Sequence, residues 1–289
     1  MFEAVAVLAV RSRRLLRVDV ATAEVSTLVE NVGRVPDGVS VGEEIYWTTM
    51  GAPEFAAADG GVHAAPWSGG PIRTITVPGS VTTGKQLVLA DGWLYWGDRE
   101  GCRVSRIRPD GSKREDLVVN DPSGAESAQC VGVAVDSAGG WLYWTQKGPA
   151  KGGRGQIRRV ALQAPRPAPE AMVQTLWSGL PEPIDLAIDD GWLYWTDRGA
   201  PPRGNTLNRA PLPAADERGA TPEVLADGFA EAIGLAVDAD AEVVYVSDLG
   251  GAVRVVPLPG SAGEDRVLVT LGEPITGLAG LERGRGVRR

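Results

Sequence analysis

Short hydrophobic runs recur along the whole chain and are separated by turns rich in Gly, Pro, Asn and Asp. The runs are rich in β-branched and aromatic residues and show little of the 3.6-residue period of amphipathic helices, so they predict strands. One aromatic run occurs three times in nearly the same form, as DGWLYWGD at 91–98, GGWLYWTQ at 139–146 and DGWLYWTD at 190–197. The pattern therefore predicts an all-β protein built from repeats.

The tyrosines give the length of the repeat. All five lie in equivalent aromatic runs, 48 to 51 residues apart: Tyr46, Tyr95, Tyr143, Tyr194 and Tyr245. Each unit holds four strand-like runs in the same order, which is the content of one propeller blade. The chain starts with a run that resembles a second strand, near Ala6, and finishes with one that resembles a first strand, near Gly277. We predict a six-bladed β-propeller of four-stranded antiparallel blades, closed by the C-terminal strand joining the N-terminal strands.

Residues 1–282 are predicted to form this single propeller, and residues 283–289 a flexible basic tail. Within WLYW, Trp93 and Tyr95 should face one neighbouring blade, and Leu94 and Trp96 the other, because side chains alternate along a strand. Near the axis, where blades converge, only small residues should fit. The octapeptide is therefore interpreted as a structural element that packs neighbouring blades together.

Composition and charge limit the classes of partner and the cellular location that the protein can have. The formal net charge of −8 excludes the basic face that nucleic-acid binding needs. No apolar run reaches the ~20 residues of a membrane span, and the order of charged and apolar residues near Met1 is unlike a secretory signal. Two cysteines do not make a disulfide framework. These features predict a cytoplasmic protein, and the wealth of Ala and Arg predicts a bacterial source.

The sequence LYWTD at 193–197 and its near matches LYWGD, LYWTQ, IYWTT and VYVSD resemble the class B (YWTD) repeat of the low-density-lipoprotein-receptor family. This resemblance covers nearly the whole chain. It implies a non-enzymatic propeller that binds protein or peptide ligands on one face, the top face, which carries the loops entering each first strand and those joining second to third strands. The cysteine-rich modules that usually flank the family's propellers are absent from the sequence, so we expect a stand-alone propeller.

The loops entering the first strands are acidic, with Glu182, Glu231 and Glu273 in similar three-residue patterns and Asp37 in a comparable stretch. In the first strands, Gln86 and Asp185 stand where four other blades have glycine: Gly38, Gly132, Gly234 and Gly277. These residues predict a carboxylate cluster at the mouth of the central channel, able to do acid–base work or to hold Ca²⁺ through Asp185, Glu231 and Glu273. The alternative is that the glutamates cap turns or pair with arginines.

The loops between second and third strands are long at 49–61, 146–155 and 197–205 and carry several cations. Phe55 and Arg198 of these loops, together with Gln129 before the first strand of another unit, complete the predicted ligand-binding set, although solvated insertions are the alternative for the loops. The motif aspartates Asp98, Asp197 and Asp248 are predicted to bond local backbone amides. His63 lies within a strand, which argues against a nucleophilic site built on it.

Two functions stay open on the sequence. The first is a propeller that binds a peptide, a protein or a small polar ligand on an acidic top face. The second is an enzyme at the same channel mouth, a lactonase-like hydrolase, lyase or cyclase, with Glu182, Asp185, Glu231 and Glu273 as acid, base or calcium ligands. No cofactor other than calcium is suggested.

Overall fold

Six four-stranded antiparallel sheets form the protein, as seen in a computed structural model that describes residues 1–52, 55 and 57–282. The predicted tail at 283–289 lies outside the described residues. Blade 1 contains β1 (Phe2–Ala9), β2 (Arg14–Asp19) and β3 (Val25–Val29). Blade 2 contains β4 (Pro36–Val41), β5 (Glu44–Thr49), β6 (Gly61–Pro66) and β7 (Arg73–Thr74). Blade 3 contains β8 (Gly84–Ala90), β9 (Trp93–Asp98), β10 (Arg103–Ile107) and β11 (Glu115–Val119).

The remaining blades follow the same order. Blade 4 contains β12 (Cys130–Asp136), β13 (Trp141–Gln146), β14 (Gly155–Ala161) and β15 (Gln174–Leu180). Blade 5 contains β16 (Pro183–Asp189), β17 (Trp192–Asp197), β18 (Thr206–Pro211) and β19 (Glu223–Ala226). Blade 6 contains β20 (Ala232–Asp238), β21 (Val243–Asp248), β22 (Ala252–Pro257) and β23 (Arg266–Thr270). Two short 3₁₀ helices, Pro122–Ala128 and Glu170–Met172, lie in loops.

The last strand, β24 (Ile275–Glu282), closes the ring. It pairs with β1 in antiparallel register, so blade 1 has the strand order β24-β1-β2-β3. Each first strand also lies against the first strands of both neighbouring blades, all the way round the axis. The predicted six-bladed propeller and its mode of closure are confirmed. No helix in the described part of the chain has the length and apolarity to cross a membrane.

The aromatic strands fill the spaces between blades as predicted. Tyr95 and Trp93 pack with Trp144 of blade 4, whereas Leu94 and Trp96 pack with Tyr46 of blade 2. The other interfaces repeat this arrangement, with one hydrophobic cluster between each pair of neighbouring blades. Because rings of this size each bury roughly 150–250 Å², the repeated aromatic run supplies the main cohesion between blades.

Near the axis the blades approach too closely for most side chains. A Cβ atom built on Gly132 would lie 2.1 Å from the carbonyl oxygen of Ile184, and one on Gly277 would lie 2.2 Å from that of Asp37. Real Cβ atoms do not come so close to backbone atoms, so these positions require glycine. This explains why four blades share a glycine where blades 3 and 5 carry Gln86 and Asp185.

A hydroxyl group ties neighbouring blades together at the threonine of the YWTD-like motif. The Thr145 hydroxyl accepts a hydrogen bond from the N–H of Gly132 (2.7 Å) and donates one to the carbonyl of Ile184 in the next blade (2.8 Å). Equivalent bridges are made by Thr48, Thr196 and Ser247. Blades 3 and 1 have Gly97 and Leu8 at this position. The motif threonine is therefore a latch between blades.

Replacing Thr196 by Val should lower the free energy of unfolding by about 2 kcal/mol, because Val keeps the shape but removes both hydrogen bonds and leaves the buried N–H of Asp185 unpaired. Urea unfolding measures this change. Thr196→Ser keeps the hydroxyl and is the matched control, expected to lose less than half as much. Equal stability of the Val variant and the wild type would show that the bridge contributes nothing.

Candidate functional site

The channel is closed where it approaches the top face. Six equivalent residues, one from each first strand, meet there and are all buried: Asp37, Lys85, Val131, Ile184, Ile233 and Thr276. Val131, Ile184 and Ile233 form an apolar cluster with Leu249. The predicted site residues consequently divide into a buried group at and below this level and a group in the top-face loops above it.

The buried group consists of Asp37, Gln86 and Asp185, together with Lys85. The Lys85 ammonium contacts Asp37 Oδ1 at 2.7 Å, and Gln86 Nε2 lies 3.4 Å from Asp37 Oδ2. Burial lowers the pKa of Lys85 to about 8, although the Asp37 carboxylate opposes this shift. Lys85 was missed as a site residue on the sequence. Its signal is that it stands beside Gln86 at the position where blades 4, 5 and 6 have Val131, Ile184 and Ile233.

Asp185 joins blades 5 and 6. Its Oδ1 accepts the N–H of Leu186 (2.9 Å), and its Oδ2 accepts the N–H of Leu235 (3.1 Å) in the next blade. Burial raises the pKa of this carboxyl to about 8, even though both N–H groups favour the ionised form. Among the ion pairs of the described residues, none includes Asp185.

A cavity of about 240 Å³ occupies the channel below the closure, with walls from the first strands of all six blades. Asp185 and Gln86 line it, and the first-strand residues Leu87, Val133 and Leu186 border it while their side chains pack in the clusters between blades. Lining residues become partly exposed toward the far ends of the first strands, at Ser40, Val88, Val135 and Ile188. The cavity therefore opens on the bottom face, beside the turns that join first to second strands.

On the top face, the predicted glutamates are held by cations. Glu182 is 1 % exposed and accepts from Arg198 Nε (2.8 Å) and from the backbone N–H of Lys151 (2.9 Å). The Lys147 ammonium lies 3.7 Å away from it. Glu231 lies 3.4 Å from Lys151 Nζ and 4.0 Å from Arg198 Nη1. The structure thus brings Glu182, Glu231 and Arg198 into one network of mixed charge across blades 4, 5 and 6.

The remaining predicted residues lie apart from this network. Glu273 accepts the N–H of Ser12 at 2.7 Å, and this bonding outweighs partial burial and lowers its pKa. Gln129 precedes β12, and its buried Oε1 has no partner among the described residues. The Phe55 ring lies 4.8 Å beneath the guanidinium carbon of Arg99. In the described part of the chain, no three His, Cys, Asp or Glu side chains come together as metal ligands, so Asp185, Glu231 and Glu273 do not form such a group.

The motif aspartates are structural, as predicted. Asp98 accepts the N–H of Thr83 (2.7 Å), and Asp197 accepts those of Glu182 (2.9 Å) and Gly199 (2.9 Å). Each fixes the loop that enters its own blade. His63 lies in β6 with its ring 2.8 Å from the Thr49 hydroxyl, and Cys102 and Cys130 are buried and free.

No family model matches the chain. It is 39 % identical over 279 residues to the low-density lipoprotein receptor-related protein 1 of the fungus Pyricularia oryzae, covering 89 % of this chain and 88 % of that protein. It is 40 % identical over 253 residues to the 3-hydroxyacyl-CoA dehydrogenase-like protein LAM1 of Cochliobolus heterostrophus, covering 78 % of this chain. The matched part is 52 % of LAM1, so the chain spans about half the length of that relative.

Among solved structures, the fold resembles a chain in the crystal structure of a nidogen/laminin complex, with a TM-score of 0.71 over 95 % of this chain and 97 % of that one. Their sequence identity is 17 %, so this likeness concerns the fold alone. These two relatives are fungal, and a bacterial source stays a prediction. From the match over most of both sequences, the chain belongs to the family of low-density lipoprotein receptor-related proteins.

Proposed function

We propose that the chain is a protein-binding propeller whose contact surface is the charged network of the top face on blades 4, 5 and 6. The observation that carries this proposal is an exposed pair of charges anchored on a buried one. The side chains of Lys151 and Glu231 are 57 % and 38 % exposed, whereas Glu182 beneath them is 1 % exposed. Glu182 also contacts two top-face loops, through Lys151 in 146–155 and Arg198 in 197–205.

This arrangement reduces the entropic penalty of binding. Long charged side chains ordinarily lose rotamer freedom when a partner immobilises them, at about 0.5–1.5 kcal/mol each. Here Arg198 is already held by a hydrogen bond to Glu182, and Glu231 lies 3.4 Å from Lys151 Nζ and 4.0 Å from Arg198 Nη1. A preformed surface with both signs of charge fits a protein segment of complementary charge and favours rapid, specific encounter. Phe55 under Arg99 adds an apolar contact on blade 2.

Two similar proteins support a binding role in general, without indicating the surface or the partner. A related fungal chain carries a receptor-related name, and the structural neighbour comes from an assembly of two proteins. The buried, free thiols of Cys102 and Cys130 are compatible with the cytoplasmic location that we propose with it. Calcium binding and carboxylate catalysis at Glu182, Asp185, Glu231 and Glu273 stay predictions.

Reversing one exposed charge tests the surface. In capture from a lysate of the source organism, quantified by mass spectrometry, we expect Lys151→Glu to reduce recovery of the wild-type partner about tenfold, because it places like charge beside Glu231. Lys113→Glu is a closely matched control. Lys113 is also exposed and has a left-handed φ of 56°, against 54° for Lys151, but it lies in a turn on the bottom face.

The proposal requires that Lys113→Glu recovers the partner as well as the wild type does. Equal recovery by Lys151→Glu would exclude this part of the top face. A wild-type protein that enriches nothing over a blank resin would remove the support for protein binding altogether.

A further inference from the structure

A cavity of about 390 Å³ lies between blades 4 and 5, apart from the channel. One side of it is β15 of blade 4, and the other is formed by β17, β18 and β19 of blade 5. Its accessible lining is mainly apolar, because Pro202 and Val224 are exposed along it and Pro181 and Pro222 are half-buried. Its size falls within the range of roughly 300–1,000 Å³ that is typical of small-ligand sites.

Two loops of blade 5 reach across to blade 4 and form the walls of this interblade cavity. In the loop between β18 and β19, the carbonyl of Ala220 accepts the Trp177 indole N–H (2.7 Å). Other carbonyl groups of the same loop accept the buried guanidinium of Arg159. In the loop between β17 and β18, Arg203 Nη2 donates to the carbonyl of Gly179 (3.0 Å). Because these bonds already fix both loops, the cavity is preformed and a ligand does not have to order it.

At the buried end of the cavity, blade 5 presents one hydrogen-bond acceptor and one donor. Asn208 and Trp195 are directly opposite each other on β18 and β17, so their side chains lie on the same face of the blade. Asn208 Nδ2 donates to Thr206 Oγ1 (2.9 Å), but no group in the described structure contacts Asn208 Oδ1 or Trp195 Nε1. Neither atom is fully enclosed by protein, so both open onto the cavity that their residues line. In blade 2, by contrast, the equivalent Trp47 Nε1 donates to the carbonyl of Val32 (2.7 Å).

The positive charge at the rim of the cavity has no ion-pair partner. Arg203 uses one N–H on Gly179 and forms no ion pair with any residue that the structure describes. A guanidinium has five N–H donors, so the others can bind a carboxylate. Asp197 also borders the cavity, but it is 1 % exposed and accepts the N–H groups of Glu182 and Gly199. Burial raises the pKa of this carboxyl to about 7, so it is mostly neutral at pH 6.

We propose that the interblade cavity binds a small aromatic acid whose ring carries a hydroxyl group at the end opposite to the carboxylate. The carboxylate binds Arg203 at the rim. The ring lies along the proline side chains of the walls, because proline and aromatic rings pack together in many peptide-binding grooves. The hydroxyl group donates to Asn208 Oδ1 and accepts from Trp195 Nε1 at the buried end. This site does not depend on the proposed protein-binding surface.

Titration with p-hydroxyphenylacetate at pH 6, followed by proton–nitrogen correlation NMR of the indole N–H groups, is the direct test. At this pH the ligand's carboxylate is ionised and its phenol is protonated. The chain has nine tryptophans, and the signal of Trp195 is identified by its loss in Trp195→Phe. We expect this signal to shift saturably with a Kd of about 1 mM. Phenylacetate, which lacks the hydroxyl group, should bind about tenfold more weakly.

Variants at the two ends of the cavity test the contacts separately. Arg203→Gln should weaken binding about tenfold, because it removes the charge and keeps a polar side chain. Arg154→Gln is the control, since Arg154 is also an exposed arginine of a top-face loop but lies outside the cavity lining, and it should bind like the wild type. Asn208→Leu should weaken binding by a similar factor to Arg203→Gln. Leucine is the residue of blade 1 at this position, Leu16.

Several results would overturn the proposal. They are no saturable shift of the Trp195 signal, equal affinity for phenylacetate, equal affinity for tyramine, which has an ammonium group in place of the carboxylate, or an unchanged Kd in Arg203→Gln. Thermal unfolding must first show that the variants are folded. If Asn208→Leu is not, Arg203→Gln still decides, because Arg203 is exposed. If Trp195→Phe is not, saturation transfer to the ligand signals gives the same dissociation constants.

Discussion

Asp37→Asn is expected to lower the free energy of unfolding by about 3–5 kcal/mol at pH 7, because it leaves the Lys85 ammonium buried without its counter-ion. Asp37 is 1 % and Lys85 7 % exposed, so water cannot replace the lost carboxylate. Equilibrium unfolding in urea measures the change. Because both residues lie in first strands, of blades 2 and 3, the loss acts directly on the contact between these blades.

The loss should shrink at high pH. The pKa of Lys85 in the folded protein is about 8, below its ordinary 10.5, so the unfolded chain binds more protons between these values and stability rises with pH there. Without Asp37 this pKa falls further, and the variant sheds the buried charge at lower pH. The difference between wild type and Asp37→Asn is therefore larger near pH 7 than at pH 10.

Two controls separate this effect from general damage to blade 2. Glu44→Gln removes a partly exposed pair with Arg73 in the same blade and should cost less than about 1 kcal/mol. The double variant Asp37→Asn with Lys85→Met has no buried charge left and should regain most of the lost stability. Strictly additive losses in the double variant would refute the pairing.

Gly97→Thr is expected to destabilise the protein by about 3 kcal/mol, although threonine or serine stands at this position in four other blades. A Cβ atom on Gly97 would lie 2.4 Å from the carbonyl oxygen of Val131 and 2.8 Å from that of Cys130. Blades 3 and 4 therefore approach more closely here than the hydroxyl latch permits. Replacing an unusual residue of one repeat by the residue that most other repeats carry usually stabilises a protein. Gly97→Thr, however, must push the backbones of blades 3 and 4 apart.

Thermal and urea unfolding of Gly97→Thr, Gly97→Ala and Ser247→Thr test the argument together. The alanine variant should lie between wild type and Gly97→Thr, since its single methyl group already meets the Val131 carbonyl. Ser247→Thr makes the consensus change in blade 6, where the hydroxyl bridge exists, and should change stability by less than about 1 kcal/mol. A Gly97→Thr protein more stable than wild type would contradict the proposed close approach.

The fold could be predicted from the sequence because the information is local and repeated. Alternation within WLYW tells which neighbour each ring faces, and the spacing of the tyrosines tells how many units there are. The unpaired runs near Ala6 and Gly277 tell how the ring closes, and β24 pairs with β1 as expected. Where the pattern of one unit is ambiguous, the other units show how it should be interpreted. A non-repetitive sequence offers no such internal comparison.

The site was harder to predict because it depends on depth and on partners from different blades. Periodicity gives the face on which Asp37 or Glu182 lies, but not whether a cation from another blade meets it. In the sequence, Lys85 looks like an ordinary strand residue. Only the structure shows that it pairs with Asp37, 48 positions earlier. The hydrophobic pattern predicts Val131, Ile184 and Ile233 only as core residues of their first strands. Together, however, they close the channel on the top side. The cavity thus opens on the face opposite to the predicted mouth.

The pairing of β24 with β1 also constrains how the protein is made. The two strands are separated by more than 260 positions in sequence, as with Phe2 and Glu282, so their contact has a high sequence separation and forms slowly. During synthesis, β1 is exposed on the ribosome long before β24 exists. Until then β1 keeps a free hydrogen-bonding edge that other nascent chains can join, and the cell must protect it for the whole of translation.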